Sequence, residues 1–232
     1  MAFERTCRDW CALARNTSLD MLAKVGASRR QEGIRVIMQM PTDLILKRMA
    51  SIISRLSDTD EEVRRAAMSA SNNLVAAQGE TGVRAARLLV DHIHACTSTD
   101  SGAAHALIVL GCSGPIHVVQ KRTEIISCVD DARFIVRHAA VNLLPHCQMP
   151  GNEIVNLLRP RLRDESKPVR IVALKTLSSI DGGSASLVDE IAELLGDPAP
   201  EVVCNAVNAL PKKRVGRCPA SPNASHAPAF SD

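Results

Sequence analysis

Between residues 58 and 210 the apolar positions recur with one spacing. With Val63, Val136, Val169 and Val202 as anchors, apolar or small residues fall at +0, +4, +5 and +8, as in Val136, Ala140, Val141 and Leu144. At about 100° per residue these positions span a sector of roughly 140°, which predicts an amphipathic helix and excludes a strand. Ahead of each such segment lies a second run of helical periodicity, at 44–56, 83–96, 116–129, 153–162 and 187–195. Turn formers separate one pair from the next, as in Gln78-Gly79-Glu80-Thr81-Gly82, Met149-Pro150-Gly151-Asn152 and Asp181-Gly182-Gly183-Ser184. The unit is therefore helix, short turn, helix.

The last three anchors are 33 residues apart, whereas Val63 and Val136 are separated by 73, room for one more copy. Anchoring that copy at Gly102 places Ala106, Leu107 and Leu110 in the apolar slots. Repeats of this period built from helix pairs predict an α-solenoid, because one pair cannot bury its own apolar stripe and neighbours must stack to cover it.

A polar skeleton rides on the apolar one. An aspartate stands five residues before the anchor and an arginine one residue after it in 58-DTDEEVRRAAMSASNNL-74, 131-DARFIVRHAAVNLL-144 and 164-DESKPVRIVALKTL-177; 197-DPAPEVVCNAVNAL-210 keeps the aspartate and has Val203 in the arginine slot. These segments resemble HEAT repeats, whose second helix opens on D-x-x-x-x-V-R followed by small apolar residues, and the resemblance covers about residues 42–211. The Gly102 copy lacks both charged residues, and Asn156 and Asp189 stand where HEAT units often carry a proline in the first helix. Armadillo units, three helices in about 42 residues, and tetratricopeptide units, with aromatic positions that a chain without tyrosine does not supply, match less well.

The resemblance implies an all-α fold, a right-handed α-solenoid of about five HEAT-like helix pairs. It also implies a structural role for Asp58, Arg64, Asp131, Arg137, Asp164 and Arg170 as a ladder of ion pairs between neighbouring units, the aspartate lying near the helix start where its charge suits the dipole. Residues 1–41 show helical periodicity without the skeleton and are expected to form a helical cap or an imperfect first pair. Residues 212–232, rich in Pro, Ser and Ala, are expected to be a disordered basic tail.

Composition narrows the chemistry. The 232 residues hold no tyrosine, one tryptophan (Trp10) and three phenylalanines, so the core must be aliphatic, which packed helices accommodate more readily than sandwiches. Net charge is +3, but residues 58–210 carry fourteen Lys/Arg against nineteen Asp/Glu, the reverse of the basic stripe expected of a nucleic-acid binder. No window is long and apolar enough for a membrane span, and MAFERTCRDW is too charged for a signal peptide. An intracellular protein with reduced cysteines is expected, cytoplasmic, or nuclear if Lys212-Lys213-Arg214 acts as an import signal. On that expectation the glycosylation-like triplets at Asn16 and Asn223 are accidental.

Candidate catalytic chemistry is sparse. His92, His94 and Cys96, with Cys112, form the best metal-like set, but His94 leaves the face that His92 and Cys96 share, and a structural zinc needs four convergent ligands. No His-Glu pair is present, so the resemblance does not extend to the di-iron hydroxylase of HEAT-like build. His146 and Cys147 are adjacent, which on a helix points them about 100° apart rather than together. A phosphate-binding GxxxxGK loop is absent. Neither catalysis nor a cofactor is expected.

The reading that follows is a scaffold or adaptor that binds a protein partner along its concave face, with a DNA-repair-type HEAT-like protein or a regulatory subunit of an enzyme complex as alternatives. The +2 and +6 positions of each second helix point away from its apolar sector. The expected contact residues are Arg65, His138 and Ile171 at +2 and Ser69, Asn142, Lys175 and Asn208 at +6, with Ile108 and Cys204 as unusual apolar neighbours on the same rows.

Overall fold

The computed structural model describes residues 26–210 except 78, 97–100 and 113. The expectations for Trp10, for the tail and for Lys212 to Arg214 lie outside the described residues. Among the described residues the secondary structure is helical, with no strand.

Within the described residues twelve α-helices follow one another: α1 (Ala27–Met38), α2 (Thr42–Ile53), α3 (Glu61–Ala76), α4 (Glu80–Ala95), α5 (Gly102–Cys112), α6 (Pro115–Gln120), α7 (Arg122–Ser127), α8 (Phe134–Leu143), α9 (Gly151–Leu158), α10 (Lys167–Ser179), α11 (Val188–Glu193) and α12 (Pro200–Ala209). Five pairs result, α2/α3, α4/α5, α6–α7/α8, α9/α10 and α11/α12. The first helices of four pairs tighten into 3-10 turns before the connecting loop, at Ser54–Ser57, Cys128–Asp130, Pro160–Arg163 and Leu194–Gly196. The first helix of the third pair also breaks at Lys121, where φ is −107°.

Second helices stack on second helices, α3 on α5, α5 on α8, α8 on α10 and α10 on α12. The apolar skeleton explains the stacking: Val63, Val136, Val169 and Val202 are 0% exposed, as are Ala67, Leu107, Ala140, Leu174 and Ala206 from the following turn. Small residues dominate because two helix backbones must come close to bury so narrow a stripe. Helix α1 stacks on α3 as a second helix would, with Gly33, Ile34 and Ile37 buried at the +4, +5 and +8 slots of a unit anchored on Arg29.

Turn chemistry sets the unit boundaries. Gly79 and Gly182 take φ of 77° and 71°, a left-handed region that costs glycine nothing and residues with a Cβ about 1–2 kcal/mol. Gly82 lies inside α4, where a Cβ would run into the carbonyl oxygens of Ala77 and Val75 at the end of α3, so the close α3–α4 turn requires it.

The charged skeleton occupies the inter-unit seams. Arg137 on α8 clamps Asp164 of the next unit, Nε to Oδ2 at 2.8 Å and Nη2 to Oδ1 at 2.7 Å, while its Nη1 donates to the carbonyls of Asp131 and Ala132 in its own loop. Arg170 repeats the arrangement with Asp197 at 2.7 Å and with the carbonyls of Asp164 and Glu165. Arg30 does the same to Asp58 at 2.7 Å. Arg64 donates to the carbonyls of Asp58 and Thr59. Asp131 instead receives Arg133 at 2.8 Å from its own loop, since the preceding unit has Ala103 in the arginine slot. Each aspartate also accepts a backbone N–H two residues on, from Asp60, Arg133, Ser166 and Ala199. In the first pair the helix cap is Asp60, which accepts from the amides of Glu62 and Val63, and not the ladder residue Asp58.

Burial pushes the carboxyls of Asp58, Asp164 and Asp197 up, but their arginine partners and the backbone amides outweigh it and hold all three below the usual carboxylate range. A carboxyl depressed on folding adds stability that is complete above its unfolded pKa of about 4 and is lost as pH falls through its folded value. The urea midpoint is therefore expected to decline only shallowly from about pH 7 to pH 5, where the depressed imidazole of His138 contributes, and to drop progressively below about pH 4. Arg137→Ala should make that drop shallower, since Asp164 then titrates nearer its unfolded value. A midpoint that fell as steeply above pH 5 as below pH 4 would mean that other groups govern acid stability.

Candidate partner-binding surface

The faces of the second helices that point away from the stacked core form the candidate surface. Among the predicted contact residues, Arg65, Ser69, His138, Asn142, Lys175 and Asn208 are exposed. Ile171 is half-buried and packs against the core, and Ala104, the +2 residue of the Gly102 unit, is 1% exposed. The +2 row is thus interrupted at its second position. The guanidinium of Arg65 is already engaged, with Glu61 at 2.8 Å and Glu62 at 2.5 Å.

Where α5 meets α8 this face is hollowed into a groove of about 340 Å³. Ala104, Ile108 and Cys112 line one wall, and Ile135, His138, Asn142 and His146 the other, over a floor that includes Gly111 and Leu143. Ile108 and Ile135 remain 45% and 44% exposed, an exposure of facing large apolar side chains that solvent does not favour. A Cβ on Gly111 would meet the side chain of Leu143, so the glycine lets α5 and α8 approach under the groove. Burial pushes the His138 imidazole below its usual range, and the ammonium of Lys175 on α10 adds to that.

Ile135, Cys112 and His146 do not belong to the predicted rows. Their helical positions, −1 and +10, fall at about 260° and 280° from the anchor and so border the +6 row at 240°. The wheel alone could have included them.

A larger depression of about 550 Å³ lies along the outer face of α4. The described residues that line it, Glu80, Val83, Arg84, Arg87, Leu88 and Asp91, all come from that one helix, with two arginines between two carboxylates. It offers no second wall from the described residues, and the α5–α8 groove is the better-formed concavity.

The candidate chemical constellations are taken apart by the fold. Ser57 Oγ lies 3.0 Å from His92 Nε2 and 3.6 Å from Cys96 Sγ, whereas His94 is exposed and Cys112 belongs to the groove. Among the described residues no group of three or more His, Cys, Asp and Glu side chains is placed to hold a metal ion. Cys147 is buried with its thiol facing the Leu143 carbonyl at 3.5 Å, and burial pushes its pKa up to about 11; His146 next to it points to the groove. At neutral pH that thiol is not a nucleophile.

These features define a helical-repeat protein. The family model for HEAT repeats matches residues 123–211, from α7 through α12, and this part of the chain is an array of HEAT repeats. No curated protein sequence matches the chain. Among solved structures it is similar to the archaeal HEAT-like repeats protein from Thermococcus onnurineus NA1, at 18% identity over 84% of this chain and 85% of that one, with a TM-score of 0.49. It is also similar to a designed armadillo repeat protein in complex with the peptide (KR)4, at 16% identity over 83% of this chain and 96% of that one, TM-score 0.49, and to an engineered protein at 20% identity over 84% and 94%, TM-score 0.48. No described helix is long and apolar enough to cross a membrane.

Proposed function

We propose that this protein is a scaffold or adaptor without catalytic activity that holds a protein partner along the row of its second helices, with residues 42–211 as the binding body. The α5–α8 groove carries the reading, because it combines exposed Ile108 and Ile135 with polar groups at its edge on a rigid, doubly stacked backbone. Stacked pairs supply extended surface, and interfaces of proteins draw most of their affinity from a few apolar anchors seated in such a pocket. In a cell, Lys212 to Arg214 would then bear on location rather than on folding.

The test replaces Arg65, His138, Asn142 and Lys175 together by glutamate and compares partner capture from lysate with a control carrying glutamate at Arg48, Arg87 and Lys121 on the first helices. The first variant is expected to lose proteins that the wild type and the control retain, with helical circular dichroism unchanged in all three. Equal capture by both variants would move the interface to the outer face.

A further inference from the structure

The acidic body of this chain keeps its carboxylates off three rows of positions on its second helices, with Glu62 and Glu201 at −1 flanking them. At +2 and +6 of all five second helices, and at +10 of the four whose +10 residue is described, there is no Asp or Glu, although acidic residues outnumber basic ones over 58–210. The carboxylates go elsewhere: to the seam ladder, to the helix starts at Glu61, Glu62 and Glu201, and to the first helices and their loops. The same positions do hold cations and imidazoles, namely Arg65, His138, His146 and Lys175.

Within that strip the charge is unbalanced at one place. Arg65 is matched by Glu61 and Glu62, but Lys175, exposed on the α10 that stacks against α8 and its His138, has no carboxylate partner among the described residues. His138 is at once a wall of the apolar groove, so the unbalanced pair borders the pocket lined by Ile108 and Ile135.

We infer that the α5–α8 groove and the adjoining face of α10 take a short acidic peptide segment, with an apolar side chain seated between Ile108 and Ile135 and a carboxylate received by Lys175 and His138. This deepens the scaffold reading and rests on it. A carboxylate there accepts from the lysine ammonium and from the imidazole N–H. A lysine or arginine at that place would stand against the ammonium of Lys175, and like charges brought together at an interface oppose the wrong partner strongly. Exposed apolar walls favour a peptide over a nucleic acid, which would need a longer basic track and stacking aromatics; Phe134 is the one aromatic residue in 42–211.

The probe is a displayed library of random dodecapeptides selected on the immobilised full chain, followed by fluorescence polarisation with the enriched peptides. Enriched sequences are expected to pair Leu, Ile or Phe with nearby Asp or Glu. Lys175→Glu should weaken the best of them by about tenfold or more, and Ile108→Asp by a similar factor. Lys121→Glu, at the break between α6 and α7, should leave binding unchanged. Enrichment of basic or uncharged sequences, no enrichment, loss of binding in Lys121→Glu as large as in Lys175→Glu, or tighter binding of a single-stranded oligonucleotide than of any peptide would each overturn the inference. The two readings fail separately: if the peptide preference is absent while the four-glutamate variant still loses lysate partners, the scaffold stands and its acidic specificity falls.

Discussion

Replacing Arg137 by alanine is expected to destabilise the protein by about 3–5 kcal/mol, the range for removing one partner of a buried ion pair. The side chains of Arg137 and Asp164 are only 6% and 3% exposed, so the carboxylate left behind stays out of water. Asp164 would retain the Ser166 amide at 2.9 Å and a long contact to Arg161 at 3.4 Å, which places the expected cost toward the lower end. The loop carbonyls of Asp131 and Ala132 lose their donor as well, but they are only part-buried and water can replace it, so they add less than the roughly 1–3 kcal/mol of an unmet buried acceptor. Urea unfolding measures the loss. Arg163→Ala is the comparison, since Arg163 and Glu193 are 67% and 59% exposed and such a pair is worth about 0–1 kcal/mol. Equal small effects from both variants would mean that the ladder sets register without contributing to stability.

Leu107→Ala is the second large change, expected to cost about 2–5 kcal/mol through lost burial and the cavity it leaves. Leu107 is 0% exposed on α5, which packs on α3, α4 and α8. Neighbouring Ala103, Ala104 and Ala106 are equally buried and too short to fill the space. Because each unit of a solenoid contacts only its neighbours, weakening this central layer should also uncouple the two ends. The expected record is a lower urea midpoint with a broadened or two-step transition. Val207→Ala, at a residue 56% exposed on the last helix, should change stability by less than about 0.5 kcal/mol. A single sharp transition in Leu107→Ala, displaced no further than that of Val207→Ala, would contradict both the packing and the coupling.

What the sequence determined by itself is whatever repeats within one unit. The +0, +4, +5 and +8 pattern identified the second helices, including the degraded one at Gly102, because burial against a neighbour on one side selects the same slots each time. Turn residues marked the boundaries, since Gly79 and Gly182 answer to local backbone geometry. Residues 1–41 read as a helical cap or an imperfect first pair without the skeleton, because Arg29 stands at the anchor of α1 and no aspartate precedes it; Arg30 in the arginine slot, with Gly33, Ile34 and Ile37 behind it, is the signal that aligns α1 with the other units. The resemblance implied a ladder between units, but tertiary structure decided which residue meets which. Asp131 and Arg137 share a unit, yet the guanidinium of Arg137 crosses to Asp164 while Asp131 takes Arg133, because a second helix aims its arginine at the loop of the next layer. The groove arises in the same way. No spacing along one helix reveals that Ile108 and Ile135 face each other across a gap, since the width of that gap is set by how closely Gly111 and Leu143 let two backbones approach.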